Sequence, residues 1–181
     1  MPEQLQQSPL TDEVTGFGAI VVRVAAQVLE TMFFEEAVAS ACQHAWLATA
    51  VTVHVSFEGS HRGEFLLSVS PPTARTIAAG FLGVDPEDLT GTEAAEVILE
   101  LANILCGTLM STLWPESALT LETPELAIAE HAFLGGVHCC FTLPDGTVAV
   151  SIGVSSGDSS GGDGSSRDGS SGDGSSGDGS A

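Results

Sequence analysis

"ATAVTVHVSFEG" (residues 48–59) and "RGEFLLSVS" (residues 62–70) decide how this chain is read. Both alternate apolar with polar side chains and are rich in Val and Phe, the pattern of strands that bury one face. Gly59-Ser60-His61-Arg62-Gly63 interrupts them, so the two runs form a hairpin. Hairpin strands are antiparallel. Further along, "FLGGVHCCFTL" and "TVAVSIGV" flank Pro144-Asp145-Gly146, whose residues suit a tight turn, and make a second hairpin. Two hairpins favour an α+β fold with an antiparallel sheet over a doubly wound parallel one.

Around these hairpins lie helical patterns. Residues 13–45 read as helix from about residue 15 onward, as one helix or two, with Arg23, Gln27 and Glu30 sharing a polar side. "PPTARTIAAGFLG" follows Ser70, with Pro in the first turn and Gly83 at its end. After the acidic connector "VDPEDLTG", Thr90 with Glu93 makes a capping box for a long helix over 91–113, which Trp114-Pro115 ends. "ALTLETPELAIAE" reads as extended segments broken by Pro124. The order is helix, hairpin, helix, then helix, strand, hairpin.

The last 27 residues hold no apolar side chain larger than Ala and cannot bury enough surface to offset chain entropy. The reading is a flexible N-terminus over 1–10, one domain over 11–154 and a disordered Gly/Ser/Asp-rich acidic tail over 155–181. Gly-Asp-Ser units resemble a calcium β-roll only superficially, because such units need an apolar residue each to build a core.

The formal net charge is −20, of which the tail supplies −4; the body therefore carries −16, with three Arg and no Lys. Such a surface cannot neutralise phosphates, so nucleic acid and anionic membrane are poor partners. The N-terminal stretch has no basic start followed by an apolar core, and no run of about 18 apolar residues exists. A cytoplasmic location is expected, with Cys42, Cys106, Cys139 and Cys140 as reduced thiols. Adjacent Cys139 and Cys140 point to opposite faces of a strand and cannot chelate together, so no metal site is expected.

The helix over 91–113 carries the functional question. Val97, Ile98, Leu101, Ala102, Ile104, Leu105, Cys106 and Leu109 spread round most of its circumference. Glu93, Glu96, Asn103 and Gly107 all fall within about 60° of Glu100. An exposed Glu on a helix needs no explanation. Asn and Gly mid-helix cost a few tenths to about 1 kcal/mol against Ala. Two unfavourable choices beside a Glu, on one face, leave two readings open: the plain wet edge of a core helix, or a surface that something approaches.

"ELANILCGTL" (residues 100–109) resembles the E-x-x-N motif of the CheC/CheX chemotaxis phosphatase family. "VLETMFFEEA", the hairpin "VSFEGSHRGEFLLSVS" and the helix "ARTIAAGFLG" are similar to the corresponding parts of CheX-like domains, so the resemblance covers about residues 15–154. It implies a CheX-like fold of two hairpins plus an extra strand packed with long helices. It also implies hydrolysis of the aspartyl-phosphate on a CheY-like response regulator in chemotaxis or another two-component pathway. Asn103 and Glu100 are then the catalytic residues: Asn103 orients the attacking water and Glu100 engages the regulator's active-site Lys. Glu96 and Gly107 serve docking. No cofactor of its own is implied, because the regulator brings the phospho-Asp and Mg²⁺. The family further implies a homodimer. Ala102 stands where the family often has Gly, and the first helix offers Glu30-Thr31-Met32-Phe33 without an Asn, so one active site per chain is expected. The alternative is a non-catalytic regulator-binding or flagellar-switch-type adaptor of the same fold.

Overall fold

A computed structural model describes residues 9–42, 49–127 and 136–155, with side chains described from residue 16 onward. The described elements are α1 (Pro9–Phe33), β1 (Val38–Ser40), β2 (Val51–Gly59), β3 (Arg62–Val69), α2 (Pro71–Leu82), α3 (Gly91–Leu113), β4 (Leu119–Leu121), β5 (Glu125–Ala127), β6 (Val137–Leu143) and β7 (Gly146–Ser155). Ser155, the first residue of the expected tail, instead ends β7 opposite Arg62; residues 156–181 lie outside the described residues.

Both hairpins form as read. β2 pairs β3 from Val51↔Val69 to Phe57↔Gly63, and β6 pairs β7 from Val137↔Ile152 to Leu143↔Gly146. The hairpins also pair with each other through β3 and β7. The sheet runs β1-β6-β7-β3-β2-β4, with β5 also on β2, and every pairing is antiparallel. The α+β fold is therefore borne out. The sheet edges are β1 on one side and β4 with β5 on the other.

The expected helix over 13–45 is corrected at both ends. α1 starts at Pro9, where a missing N–H costs nothing in a first turn. It stops at Phe33, because Phe34 takes a left-handed conformation (φ 58°). The Glu35 N–H then donates to Leu29 O at 3.0 Å. The chain continues as β1, whose three residues pair with Thr142, Phe141 and Cys140. Helix periodicity over-ran because Ala-Val-Ala suits either state and nothing local marks the stop.

The thiol expectation is also overturned. Cys42 and Cys140 form a disulfide, bringing residues 98 apart in sequence together just past the end of β1. Ser40 sits opposite Cys140 in the β1–β6 register, so Cys42 follows it within reach. Cys42 thus lies outside any helix, against the reading of residues 13–45 as helical. The opposite-face reading of the Cys pair holds: Cys139 turns toward α1, its thiol 3.9 Å from Gly18 O, while Cys140 takes the bridge. Cys106 and Cys139 remain free and buried.

One face of the sheet supplies Val53, Val55, Phe57, Phe65, Leu67, Phe141, Val148, Val150 and Ile152 to a single core. α1, α2 and α3 pack against these side chains and against each other, with α3 over β2 and β3 and α1 over β6. Gly16–Phe33 and Gly91–Leu113 are long and apolar enough to cross a membrane by length and composition alone. Here both supply core side chains, α1 through Val21, Ala25 and Leu29, α3 through Ile98, Leu101 and Leu105. Their hydropathy is that of core helices.

Candidate functional site

α3 is fixed from its first residue. Thr90 Oγ1 accepts from the Glu93 N–H at 3.2 Å, and the Glu93 carboxylate accepts from the Thr90 N–H at 2.9 Å and its hydroxyl at 2.7 Å. The capping box read from the sequence is thus complete. These bonds, led by the one from the Thr90 backbone N–H, hold the Glu93 carboxyl below its usual range. The loop entering α3 is tied to α2 by Arg75, whose guanidinium donates to Pro86 O at 2.9 Å and Leu89 O at 2.8 Å.

Along α3, Ala94, Val97, Ile98, Leu101, Ala102, Leu105, Cys106, Leu109 and Met110 are buried. Burial pushes the Cys106 thiol up to about 12. Glu93, Glu96, Glu100 and Asn103 are exposed, and Gly107 is half-buried. The apolar majority and the single polar stripe therefore fall where the helical spacing puts them. Neither the Glu100 nor the Asn103 side chain has a hydrogen bond or ion pair among the described residues. Their backbone is rigid while their polar groups face outward, uncommitted. A helix anchored on its other sides is a precise mount for such groups, since positions i and i+3 point the same way.

Beyond Gly107 the stripe changes character. Thr108, Ser111 and Thr112 turn their hydroxyls back to the carbonyls of Ile104, Gly107 and Thr108 at 2.7–2.8 Å. A cleft of about 170 Å³ opens there between α3 and β4, lined by Gly107, Met110, Ser111, Trp114, Leu119 and Leu121 among others. Periodicity places Gly107 on the stripe but gives no sign of this cleft, because β4 arrives from outside the helix. The arrangement can present a carboxylate, a carboxamide and a side-chain-free position to a partner.

The other titratable candidates form no comparable site. His54 Nε2 lies 3.8 Å from a Glu64 carboxylate oxygen, and His138 Nδ1 is 2.8 Å from Ser151 Oγ. The His61 ring stacks on Trp114 at 4.3 Å between centroids. Among the described residues, no group of three His, Cys, Asp or Glu side chains is placed to hold a metal ion.

Comparison with known proteins bears out the resemblance to the CheC/CheX family. The family model described as "Chemotaxis phosphatase CheX" matches residues 51–133, a stretch that includes Glu96, Glu100, Asn103 and Gly107. No curated protein sequence matches the chain. Among solved structures, chemotaxis protein CheX from Vibrio vulnificus is similar at TM-score 0.64 and 18% identity, over 77% of this chain and 96% of that one. The CheX of the CheX–CheY–BeF3–Mg complex from Borrelia burgdorferi is similar at TM-score 0.59 and 22% identity, over 76% and 97%. FliY from Thermotoga maritima is similar at TM-score 0.55 and 15% identity, over 85% and 93%. At these identities the likeness is one of fold.

Proposed function

We propose that this protein hydrolyses the aspartyl-phosphate of a CheY-like response regulator, with Asn103 positioning the attacking water. The observation that carries the reading is the pair of uncommitted polar groups at Glu100 and Asn103, on the exposed stripe of a helix otherwise buried. An acyl phosphate is already reactive, so catalysis needs an aligned water more than new covalent chemistry. The Asn103 carboxamide can accept one hydrogen bond from water and donate another, fixing its lone pair in line with phosphorus. Glu100 pairs with the regulator's active-site Lys and seats the helix. Glu96 extends the acidic edge, and Gly107 leaves room for the partner's backbone. The chain needs no cofactor of its own; Mg²⁺ belongs to the regulator's phosphorylation site. A cytoplasmic homodimer belongs to the same reading, with the short edge strands β1 and β4 as its candidate contacts.

The family match over residues 51–133 and the solved CheX–CheY complex support this assignment. The fold is shared with FliY, a protein not named CheX, and the second reading is a regulator-binding adaptor of the same fold that does no chemistry. Following phosphate loss from a phosphorylated CheY-like receiver, with and without this protein, separates the two. Faster decay supports the phosphatase; binding with unchanged decay leaves the adaptor.

A further inference from the structure

The ends of α1 and α2 carry a concentration of apolar surface that the phosphatase reading does not use. Phe34 is 81% exposed, and Met32, Phe81, Leu82 and Val84 are each more than 40% exposed. They belong together in space. The ring of Phe81 stacks on buried Phe33 at 5.1 Å, so the residues flanking Phe33 on α1 and those flanking Phe81 on α2 meet at one place. Phe34 is also the one non-glycine residue among those described with positive φ. A bulky aromatic rarely adopts that conformation. Here it closes the end of α1, with the Glu35 N–H returning to Leu29 O, and leaves the Phe34 ring exposed.

Charge surrounds the patch with one sign. Glu30, Glu35 and Glu36 flank Phe34, and Asp85, Glu87 and Asp88 follow Val84. Burial, and then the neighbouring Asp145 carboxylate, raise Glu35 above the usual carboxylate range. Arg75, on α2, is committed to the carbonyls of Pro86 and Leu89.

We propose that the joined ends of α1 and α2 form a docking surface for a cationic amphipathic segment of another protein, separate from the α3 stripe. Charge complementarity selects this occupant. A second copy would bring the same carboxylates face to face, and like charges across an interface cost several kcal/mol. Anionic membrane is repelled by the same rim. The chain's own residues 156–181 offer only Gly, Ser, Asp, Arg167 and Ala181, nothing that would cover an apolar patch. Lys- and Arg-bearing side chains around an apolar core would satisfy both features at once.

The test uses a labelled helical peptide of Leu and Lys with one apolar face, a scrambled Leu/Lys peptide, and the same helix with Glu for Lys. Full-length protein is titrated by fluorescence anisotropy, and the contact is mapped by hydrogen exchange. The Leu/Lys helix is expected to bind one to one and to protect amides around Phe34 and Phe81. Phe34→Asn keeps a residue that tolerates the left-handed turn, and Leu82→Gln changes an exposed position. Each is expected to weaken binding on the order of tenfold while the fold is kept. Glu36→Gln with Asp85→Asn should flatten the salt dependence, and Asn103→Ala should leave binding unchanged. Equal binding by the scrambled or Glu-bearing peptide, or by Phe34→Asn and Leu82→Gln, overturns the proposal. So does self-association, or binding to neutral phosphatidylcholine vesicles, that is lost in Phe34→Asn.

Discussion

A Cβ placed on Gly107 would meet only Leu121, with Cδ2 4.0 Å away, an ordinary van der Waals distance. The interior therefore does not require glycine at this position, although glycine mid-helix is unfavourable. On the proposed reading, the glycine instead leaves room for a receiver to approach α3. Gly107→Ala is expected to keep or raise stability, by up to about 1 kcal/mol, while weakening association with a phosphorylated receiver. Gly63 is the contrasting case. Its Cβ would collide with Gly153 O and come 2.6 Å from Phe57 Cζ. Gly63→Ala is expected to destabilise by roughly 1–3 kcal/mol. Urea unfolding of both variants checks the contrast, and a Gly107→Ala loss as large as that of Gly63→Ala would return Gly107 to a packing role.

The cysteines give a mass-spectrometric prediction. With Cys42 and Cys140 bridged, alkylation of denatured, unreduced protein should modify Cys106 and Cys139 alone. Prior reduction by a dithiol should bring the total to all four cysteines. In the native state neither free thiol should react at neutral pH. Both are buried with their pKa raised by desolvation, Cys106 to about 12, and the thiolate is the reactive form. Four labels without reduction would remove the bridge and restore the reduced-thiol reading.

Much of the fold was legible because its signals are local. Alternation gave both hairpins, Gly83 in the left-handed region gave the end of α2, and Thr90 with Glu93 gave the start of α3. What could not be read depends on distant partners. β1 is three exposed residues that are a strand only because β6 lies beside them. The bridge needs Cys42 brought to Cys140 by that same pairing. The stop at Phe34 is a conformation for which the residue type gives no warning. The stripe on α3 was visible as a helical face, whereas the cleft beside Gly107 and the patch at Phe34 and Phe81 arise from elements that meet only in the folded chain.

The capping box predicts a pH dependence. The folded pKa of Glu93 is depressed by its bonds from Thr90, so its contribution to stability is present above the unfolded carboxylate range. It disappears as pH falls below the depressed folded value, and the window lies below roughly pH 5. Glu93→Gln retains an acceptor but cannot titrate. The stability difference between wild type and Glu93→Gln should therefore shrink as pH falls through this window. Thr90→Ala removes the hydroxyl from the box and should lower Tm by roughly 3–6 °C at neutral pH. A wild-type-to-Gln difference that stays constant from neutral to acid pH would show that the box bonds add nothing specific to the charge.

The sharpest prediction separates the two polar groups of the stripe. Asn103→Ala removes the carboxamide and favours the helix by propensity, so stability should hold or rise slightly. Affinity for a receiver bearing a stable phosphate mimic should change little, because a water-positioning group acts mainly in the transition state. The rate of phosphate loss should fall on the order of a hundredfold, the effect of losing a few kcal/mol of barrier. Glu100→Ala deletes a docking charge, so affinity and rate should fall together. Its residual affinity should vary less with salt than that of wild type, because one charge pair has gone. The comparison needs both measurements on each variant, with fold checked by thermal melting. If both substitutions lower affinity alike and neither changes decay of the bound receiver, the stripe docks a partner without acting on it, and the adaptor reading stands. An Asn103→Ala protein that stays folded and dephosphorylates at the wild-type rate ends the assignment of chemistry to this helix.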